Sequence, residues 1–214
     1  VHSNTSLMSE PKPLSNLRTV FTVKLADEVS AEMHSLSMPQ TNLRIEVSSP
    51  DYDASLKESD FTSFGCDSIN MYLQTHRDGP LVSIAKGASG GEMSRVMLAL
   101  EVVIAASNPV GTYIFDEVDA GVGGAAAIEV GRRLHVLSKN AQVIVVTHLP
   151  QVAAWGDSHY VVEKSNDGTV VSSGVNRVDG EERVSEIARM LAGLQESSSA
   201  KEHASELLEM RIKG

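Results

Sequence analysis

The chain has 214 residues, of which 42% are hydrophobic and 21% charged, and this is enough to bury a substantial core. Its 18 Lys and Arg residues stand against 28 Asp and Glu residues, so the formal net charge is -10. This balance argues against strong DNA binding by the chain alone, because such binding uses clustered basic residues. The sequence shows no membrane-length apolar run, no secretory leader and a single cysteine, Cys66, so we expect a cytoplasmic protein without a membrane partner.

The first forty residues contain a polar segment followed by a helical pattern. Residues 1–13 are polar and include two prolines, which predicts a disordered or linker segment. Apolar residues then recur every three or four positions from Leu14 to Leu36, which predicts a helix that ends before Pro39. The spacing fits both a helix packed on its own domain and the end of a coiled-coil arm.

The remaining elements are predicted from alternation and from short apolar runs. Half-buried strands are predicted at "NLRIEV" (42–47) and "SINMYL" (68–73), and edge strands at "HYVVEK" (159–164) and "VVSSGVNRV" (170–178) around an Asp167-Gly168 turn. The runs "TYIF" (112–115) and "VIVV" (143–146) flank a helical pattern at 125–137, which is typical of buried parallel strands with a crossover helix. Helices are also predicted at about 181–193 and 200–212.

The stretch "GASGGEMSRVMLAL" (87–100) places a glycine-rich turn before a helix. Met93, Met97 and Leu100 fall on one helical face, so the helix begins close to Glu92. The first N–H groups of a helix have no partner within it and carry the positive end of its dipole. The turn is therefore suited to hold a phosphate, although an ordinary loop at a helix start has the same composition.

Two further stretches place polar side chains after the predicted parallel strands. Asp116 and Glu117 follow the first strand and His148 follows the second. Because ligands bind at the carboxyl edge of parallel sheets, we expect all three at one edge. Adjacent carboxylates can hold Mg²⁺ through water and activate a water molecule for phosphoryl transfer. The alternative is a pair of solvated acids at the start of a loop.

Together these motifs resemble the ATP-binding-cassette (ABC) ATPases of the SMC kind. "ASGGE" (88–92) is similar to their signature motif, "YIFDE" (113–117) to the Walker B strand, "VDAG" (118–121) to the D-loop and His148 to the switch histidine. Longer stretches, "SGGEMSRVMLAL", "IFDEVDAGVGG", "VTHLPQVAAWGDSHYVVEK" and "EIARMLAG", resemble the C-terminal part of the RecN family of bacterial DNA repair proteins.

The RecN resemblance covers roughly residues 14–212 and implies an architecture. It implies an α/β fold: the C-terminal half of an ABC/SMC-type ATPase head, with a mainly parallel, P-loop NTPase-like sheet and flanking helices. Residues 14–38 become the end of a coiled-coil arm, and residues 39–214 become the half-head.

The same resemblance implies roles for the site residues. The residues implied to bind ATP across a dimer of heads are Ser89, Gly90, Gly91 and Asp119. Asp116 is implied to lie on the Mg²⁺ side, through water, with Glu117 as catalytic base and His148 on the γ-phosphate. Ala120 and Gly123 depart from the family pattern, which has threonine and serine there.

One required motif is missing from the chain. The loop G-x-x-x-x-G-K-[ST], which cradles the β- and γ-phosphates, does not occur. We therefore expect a C-terminal half, consistent with a start at Val1, that hydrolyses ATP only together with an N-terminal half. The resemblance further implies a head homodimer around ATP, and DNA double-strand break repair and recombination by the whole protein at the nucleoid.

Four other interpretations remain open from the sequence. They are a transporter-type ATPase subunit, a different SMC-type head, a half-head that binds without hydrolysing, and a metal hydrolase built on Asp116, Glu117 and His148. The last lacks a second histidine at metal-ligand spacing.

Overall fold

A computed structural model of the chain describes residues 11–51, 57, 61–84, 89–105, 110–166, 171–193 and 198–213. Residues 1–10 of the predicted linker and the predicted Asp167-Gly168 turn lie outside these residues. The chain divides between Ser89 and Gly90 into two compact units. None of the described helices is both long and apolar enough to cross a membrane.

The first unit consists of one long helix and a small antiparallel sheet. Its elements are α1 (Pro11–Ser35), β1 (Asn42–Ser48), β2 (Ser68–Gln74) and β3 (Val82–Ser83), with the strands in the order β1-β2-β3. Leu43 of β1 pairs with Leu73 of β2, and both are buried. The C-terminal half of α1 packs on β1, with Val29 and Met33 fully buried.

Helix α1 begins earlier than the sequence predicted. Its first turn contains Pro11 and Pro13, which we had placed in the linker. Proline is tolerated there because the first N–H groups of a helix have no partner inside it. The helix ends at Ser35, before Ser37 takes a left-handed φ of 63° and Pro39 follows.

Only the C-terminal end of the apolar stripe of α1 is buried in the core. Val29, Met33 and Leu36 are buried, whereas Leu17 is 55% and Phe21 64% exposed. When an apolar stripe continues past the packed part of a helix, the helix typically packs against another helix there.

The second unit is built around two parallel strands. Its elements are α2 (Gly90–Ile104), β4 (Thr112–Phe115), α3 (Gly124–Ser138), β5 (Gln142–Val145), α4 (Pro150–Ala153), β6 (His159–Asn166), β7 (Val171–Val178), α5 (Gly180–Ala192) and α6 (Ser198–Lys213). Strands β4 and β5 pair in parallel, with Tyr113 opposite Val143. The crossover helix predicted at 125–137 is α3.

The described residues cover the two parallel strands on one face only, whereas the sequence predicted wholly buried strands. Tyr113 and Phe115 are buried, but Ile114 is 71%, Ile144 45% and Val146 59% exposed. Apolar side chains on both faces of a parallel strand indicate cover on both sides. The described residues supply this cover for one face.

The C-terminal segment forms a hairpin and a helix pair. Strands β6 and β7 pair antiparallel as a two-stranded sheet of their own, where we had predicted edge strands. Helices α5 and α6 pack together around Ile187, Ala204 and Leu207. Helix α5 ends at Gly193, whose φ of 69° is left-handed, as in a common helix C-terminus.

Candidate active site

The carboxyl ends of β4 and β5 bring the predicted catalytic side chains to one edge. Phe115, the last residue of β4, is in register with Val145, the last residue of β5. Asp116 and Glu117 follow the first strand directly, and His148 comes three residues after the second. All three side chains are exposed. The expectation that these three residues share one sheet edge is confirmed.

Hydrogen bonds to Asp119 link the segment after β5 to the loop after β4. Its side chain is 3% exposed, and its Oδ2 accepts hydrogen bonds from the Thr147 hydroxyl and, at 3.3 Å, from the backbone N–H of His148. The His148 ring nitrogen Nδ1 lies 3.5 Å from the same oxygen. The histidine ring is 75% exposed, so Asp119 holds its backbone while the ring faces solvent.

The backbone of Glu117 has an uncommon conformation. Its φ is 57°, in the left-handed region that non-glycine residues seldom adopt. Ala120 N–H donates to the Glu117 carbonyl at 3.0 Å, closing a turn around Val118 and Asp119. Such conformations persist where the surrounding structure holds them, often at functional sites.

Gly90 and Gly91 are the first two residues of α2, so the helix begins two residues before the predicted Glu92, and residues 87–88 of the predicted turn lie outside the described residues. Ser89 directly precedes the helix, and Ser89 and Gly90 are exposed. A Cβ on Gly90 would lie 2.9 Å from the Glu117 Oε2 atom. The Glu117 carboxylate therefore lies beside the N-terminus of α2, where an anion is stabilised by the helix dipole.

Gly91 allows α2 to pack closely against the loop after β4, which the sequence did not reveal. A Cβ at this position would meet the Ala120 Cβ at 2.7 Å and the Glu117 carbonyl oxygen at 3.1 Å. The helix therefore approaches the loop after β4 more closely than any side chain would allow. The glycine is required for this packing, and the approach of a phosphate to it stays a prediction.

Arg95 and Ser94 also contact this loop, and the sequence reasoning missed both. The Arg95 Nη1 atom donates to the Ala120 carbonyl at 2.7 Å, and the Ser94 hydroxyl donates to the Asp116 carbonyl at 2.9 Å. Burial lowers the pKa of Arg95, while the charge of Glu92 acts in the opposite direction. A guanidinium nevertheless stays charged in proteins.

Arg95 was overlooked because the wrong face of α2 was chosen. The sequence pattern grouped Met93 and Met97 as one apolar helical face, but Met97 is 40% exposed. The buried face passes through Gly91, Arg95 and Leu98. The spacing of Gly91, Arg95 and the buried Ala99, four residues apart, was the available signal.

The donor set fits a magnesium ion that is shared with a nucleotide. Mg²⁺ in such sites keeps several waters and binds one or two carboxylates together with phosphate oxygens. The exposed carboxylate of Asp116, with the exposed Glu117 next to it in the sequence, is a group of this kind. The described residues contain no group of three or more His, Cys, Asp or Glu side chains that could hold a metal by themselves, so they give no support to the metal-hydrolase interpretation.

Comparison with known proteins identifies relatives that share one name. No protein-family model matches the chain. It is 50% identical over 200 residues to the DNA repair protein RecN of Streptomyces coelicolor, an alignment that covers 92% of this chain and 35% of that protein. It is 38% identical over 207 residues to the DNA repair protein RecN of Bacillus subtilis, covering 93% of this chain and 36% of that protein.

The chain belongs to the RecN family. It spans 35% and 36% of the length of these two relatives. Among solved structures, it is similar to the Smc head domain with a coiled coil and joint from Pyrococcus yayanosii, with a TM-score of 0.54 and 22% identity over 92% of this chain and 30% of that one. This RecN-family chain therefore shares its fold with part of an SMC head domain, which confirms the predicted fold class, the C-terminal half of an SMC-type head.

Proposed function

We propose that this chain supplies the signature motif, Walker B strand, D-loop and switch histidine of an ATPase head that acts in ATP-dependent repair of DNA double-strand breaks and recombination. The name of its relatives, DNA repair protein RecN, supports the repair process. One observation carries the ATPase proposal. The parallel strands β4 and β5 bring Asp116, Glu117 and His148 to one edge, and the N-terminus of α2 lies beside Glu117.

In this proposal Glu117 is the general base. An exposed carboxylate within reach of the reacting phosphate can orient a water molecule and accept its proton. Asp116 would hold Mg²⁺ through water, and the ion would neutralise charge on the phosphate oxygens. His148 projects its exposed ring from the same edge and would donate a hydrogen bond to the γ-phosphate.

The remaining predicted residues would act on ATP across a dimer of heads. Ser89, Gly90 and Gly91 lie at or before the start of α2, and the N–H groups at a helix N-terminus are suited to bind anions. Asp119 already accepts hydrogen bonds within its own chain. Any contact that it makes across the dimer would be made by a carboxylate that is fixed beforehand.

The proposal requires an N-terminal half that carries the phosphate-binding loop. The exposed apolar face formed by Ile114, Ile144 and Val146 supports this requirement, because a parallel sheet is normally covered on both faces. The exposed Leu17 and Phe21 of α1 support its role as the end of a coiled-coil arm.

DNA contact would belong to the complete protein. With a net charge of -10, this part of the protein does not attract a polyanion. The complete protein would bind DNA through its N-terminal half or as a dimer of heads, in the cytoplasm at the nucleoid.

The test compares ATP hydrolysis by the chain alone, by the N-terminal half alone and by the two together. We expect turnover from the combined halves only, because the phosphate loop and Glu117 lie on different halves. Nucleotide binding without turnover in the combined head would instead support a half-head that binds but does not hydrolyse. Turnover by this chain alone that disappears in Glu117→Gln would contradict the proposal, because Glu117 would then act without the N-terminal half.

A further inference from the structure

The guanidinium of Arg95 connects α2 to the loop that follows β4. Arg95 is 6% exposed, and its Nη1 atom donates to the carbonyl oxygens of Ala120 at 2.7 Å and Val118 at 3.5 Å. A buried charge is costly unless it makes hydrogen bonds. The partners of this charge are backbone groups on both sides of Asp119.

The contacts of α2 converge on the same loop. Gly91 and Arg95 lie four residues apart, on one face of the helix, and both contact Ala120. One residue before Arg95, the Ser94 hydroxyl donates to the Asp116 carbonyl at 2.9 Å. The loop is therefore held by the first two turns of α2 at both of its ends.

We propose that Arg95 is a positioning residue for Glu117. It holds the backbone of residues 118–120 and thereby keeps the Glu117 carboxylate beside the N-terminus of α2. This inference rests on the proposed ATPase function. A role in positioning explains why a charged side chain occupies a buried place in a helix whose other buried side chains are apolar.

The conformation of Glu117 supports this proposal. Its left-handed φ of 57° is retained only while neighbouring groups hold the turn. The hydrogen bonds from Arg95 to Val118 and Ala120 act on the residues directly after Glu117 and at the end of the turn. Without them the turn can relax, and the carboxylate then leaves its place beside Gly90.

Arginine is suited to this role for geometric reasons. Its planar guanidinium is always charged and donates in fixed directions, so it can hold two carbonyl groups at once. Lysine presents a single flexible ammonium group and would keep the charge with less control of direction. A lysine variant therefore separates the charge from the geometry.

The experiment measures kcat and KM for ATP in the complete protein with Arg95→Gln and with Arg95→Lys. The matched control is Arg183→Gln, because Arg183 is also buried and donates to the backbone carbonyls of Ala153, Ala154 and Gly156, outside the candidate site. A second measurement follows hydrogen exchange of the Ala120 and Val122 amides in this chain alone.

We expect Arg95→Gln to lower kcat about 10- to 100-fold, as for a misplaced catalytic group, with KM changed less than about 2-fold. Arg95→Lys should be intermediate, and Arg183→Gln should leave kcat unchanged. The exchange of the two loop amides should be faster in Arg95→Gln and unaffected in the control.

Three results would overturn the inference. They are an unchanged kcat in Arg95→Gln, an equal loss in the Arg183 control, and exchange that increases throughout the unit rather than at the loop. If the wild-type protein lacks ATP turnover, the proposed function fails, but the exchange measurement still decides whether Arg95 holds the loop.

Discussion

The buried carboxylate of Asp119 accepts a hydrogen bond from the backbone N–H of His148 at 3.3 Å, and so joins the ends of two neighbouring parallel strands. The Thr147 hydroxyl donates to the same oxygen. One side chain of the loop after β4 thus fixes where the segment after β5 leaves the sheet. This arrangement fixes the His148 backbone while the ring stays 75% exposed, with its Nδ1 atom 3.5 Å from the same carboxylate oxygen.

Removing this carboxylate should destabilise the chain. Asp119→Ala leaves the His148 N–H without this acceptor and leaves the Thr147 hydroxyl with only the Leu149 carbonyl at 3.5 Å, which should lower the free energy of unfolding by about 1–3 kcal/mol. Asp119→Asn keeps one oxygen acceptor, so its free energy of unfolding should decrease less. Urea unfolding of the chain measures both variants.

The control for this prediction is Asp157→Ala. Asp157 pairs with Arg211, but its side chain is 61% exposed, so its loss should cost less than about 1 kcal/mol. An unfolding free energy of Asp119→Ala equal to that of the wild type would show that the hydrogen bonds of Asp119 do not stabilise the loop.

A methyl group at position 91 should force α2 away from the loop. In Gly91→Ala the new Cβ would lie 2.7 Å from the Ala120 Cβ and 3.0 Å from the Ala120 carbonyl oxygen. We therefore expect overpacking to lower the free energy of unfolding by about 1–3 kcal/mol. Thermal melting measures this loss.

Gly123→Ala is the control for position 91, because Gly123 has an extended φ of -164° and open space around it. It should melt close to the wild type. Identical melting of the two variants would mean that the close helix–loop contact is not needed for stability.

The single tryptophan reports on the packing of α3 against the segment after α4. A Cβ on Gly131 would overlap the Cδ1 atom of Trp155 and lie 2.9 Å from its Cγ atom, and this side chain is 5% exposed. Gly131→Ala should therefore displace the indole, red-shift its fluorescence and destabilise the chain by about 1–3 kcal/mol. Gly111→Ala has open space around it and serves as the control; a Gly131→Ala spectrum that matches the control would refute the prediction.

Protonation of His159 should make stability depend on pH. Burial lowers the pKa of His159, the positive charge of Arg183 adds to this effect, and Glu186 opposes it. The unfolded chain then takes up the proton first, so as pH falls below about 6.5 the free energy of unfolding decreases until the folded-state pKa is reached.

The measurement for His159 is urea unfolding of the wild type and of His159→Gln between pH 7.5 and pH 5. The difference between the two should change across this range, whereas His203→Gln, at an exposed position, should run parallel to the wild type. Parallel curves for His159→Gln would contradict the prediction.

The sequence predicted the parts of the site that depend on strand order. Apolar runs before Asp116 and His148 were enough to place both residues at one edge, because parallel strands end together. The sequence could not show that Gly91 packs against Ala120 or that Arg95 is buried. Both facts depend on how closely α2 approaches a loop that is distant along the chain, and local periodicity does not report this distance.

The fold predictions failed where tertiary contacts decide the outcome. The exposure of Ile114 and Ile144 could not be read from their apolar character, since the burial of a strand face depends on what covers it. The β6–β7 hairpin was recognised from its alternation, but the strand that its edge would pair with is not encoded locally.

The measurement that tests the central claim most directly is ATP turnover by the complete head with Glu117→Gln, together with its ATP-dependent dimerisation in sedimentation experiments. Glu206→Gln, at an exposed position on α6, is the control. We expect Glu117→Gln to lower turnover at least about 100-fold, since it removes a general base, while ATP still induces the dimer. Turnover equal to that of the control would contradict the assignment of Glu117 and of the sheet edge as the active site.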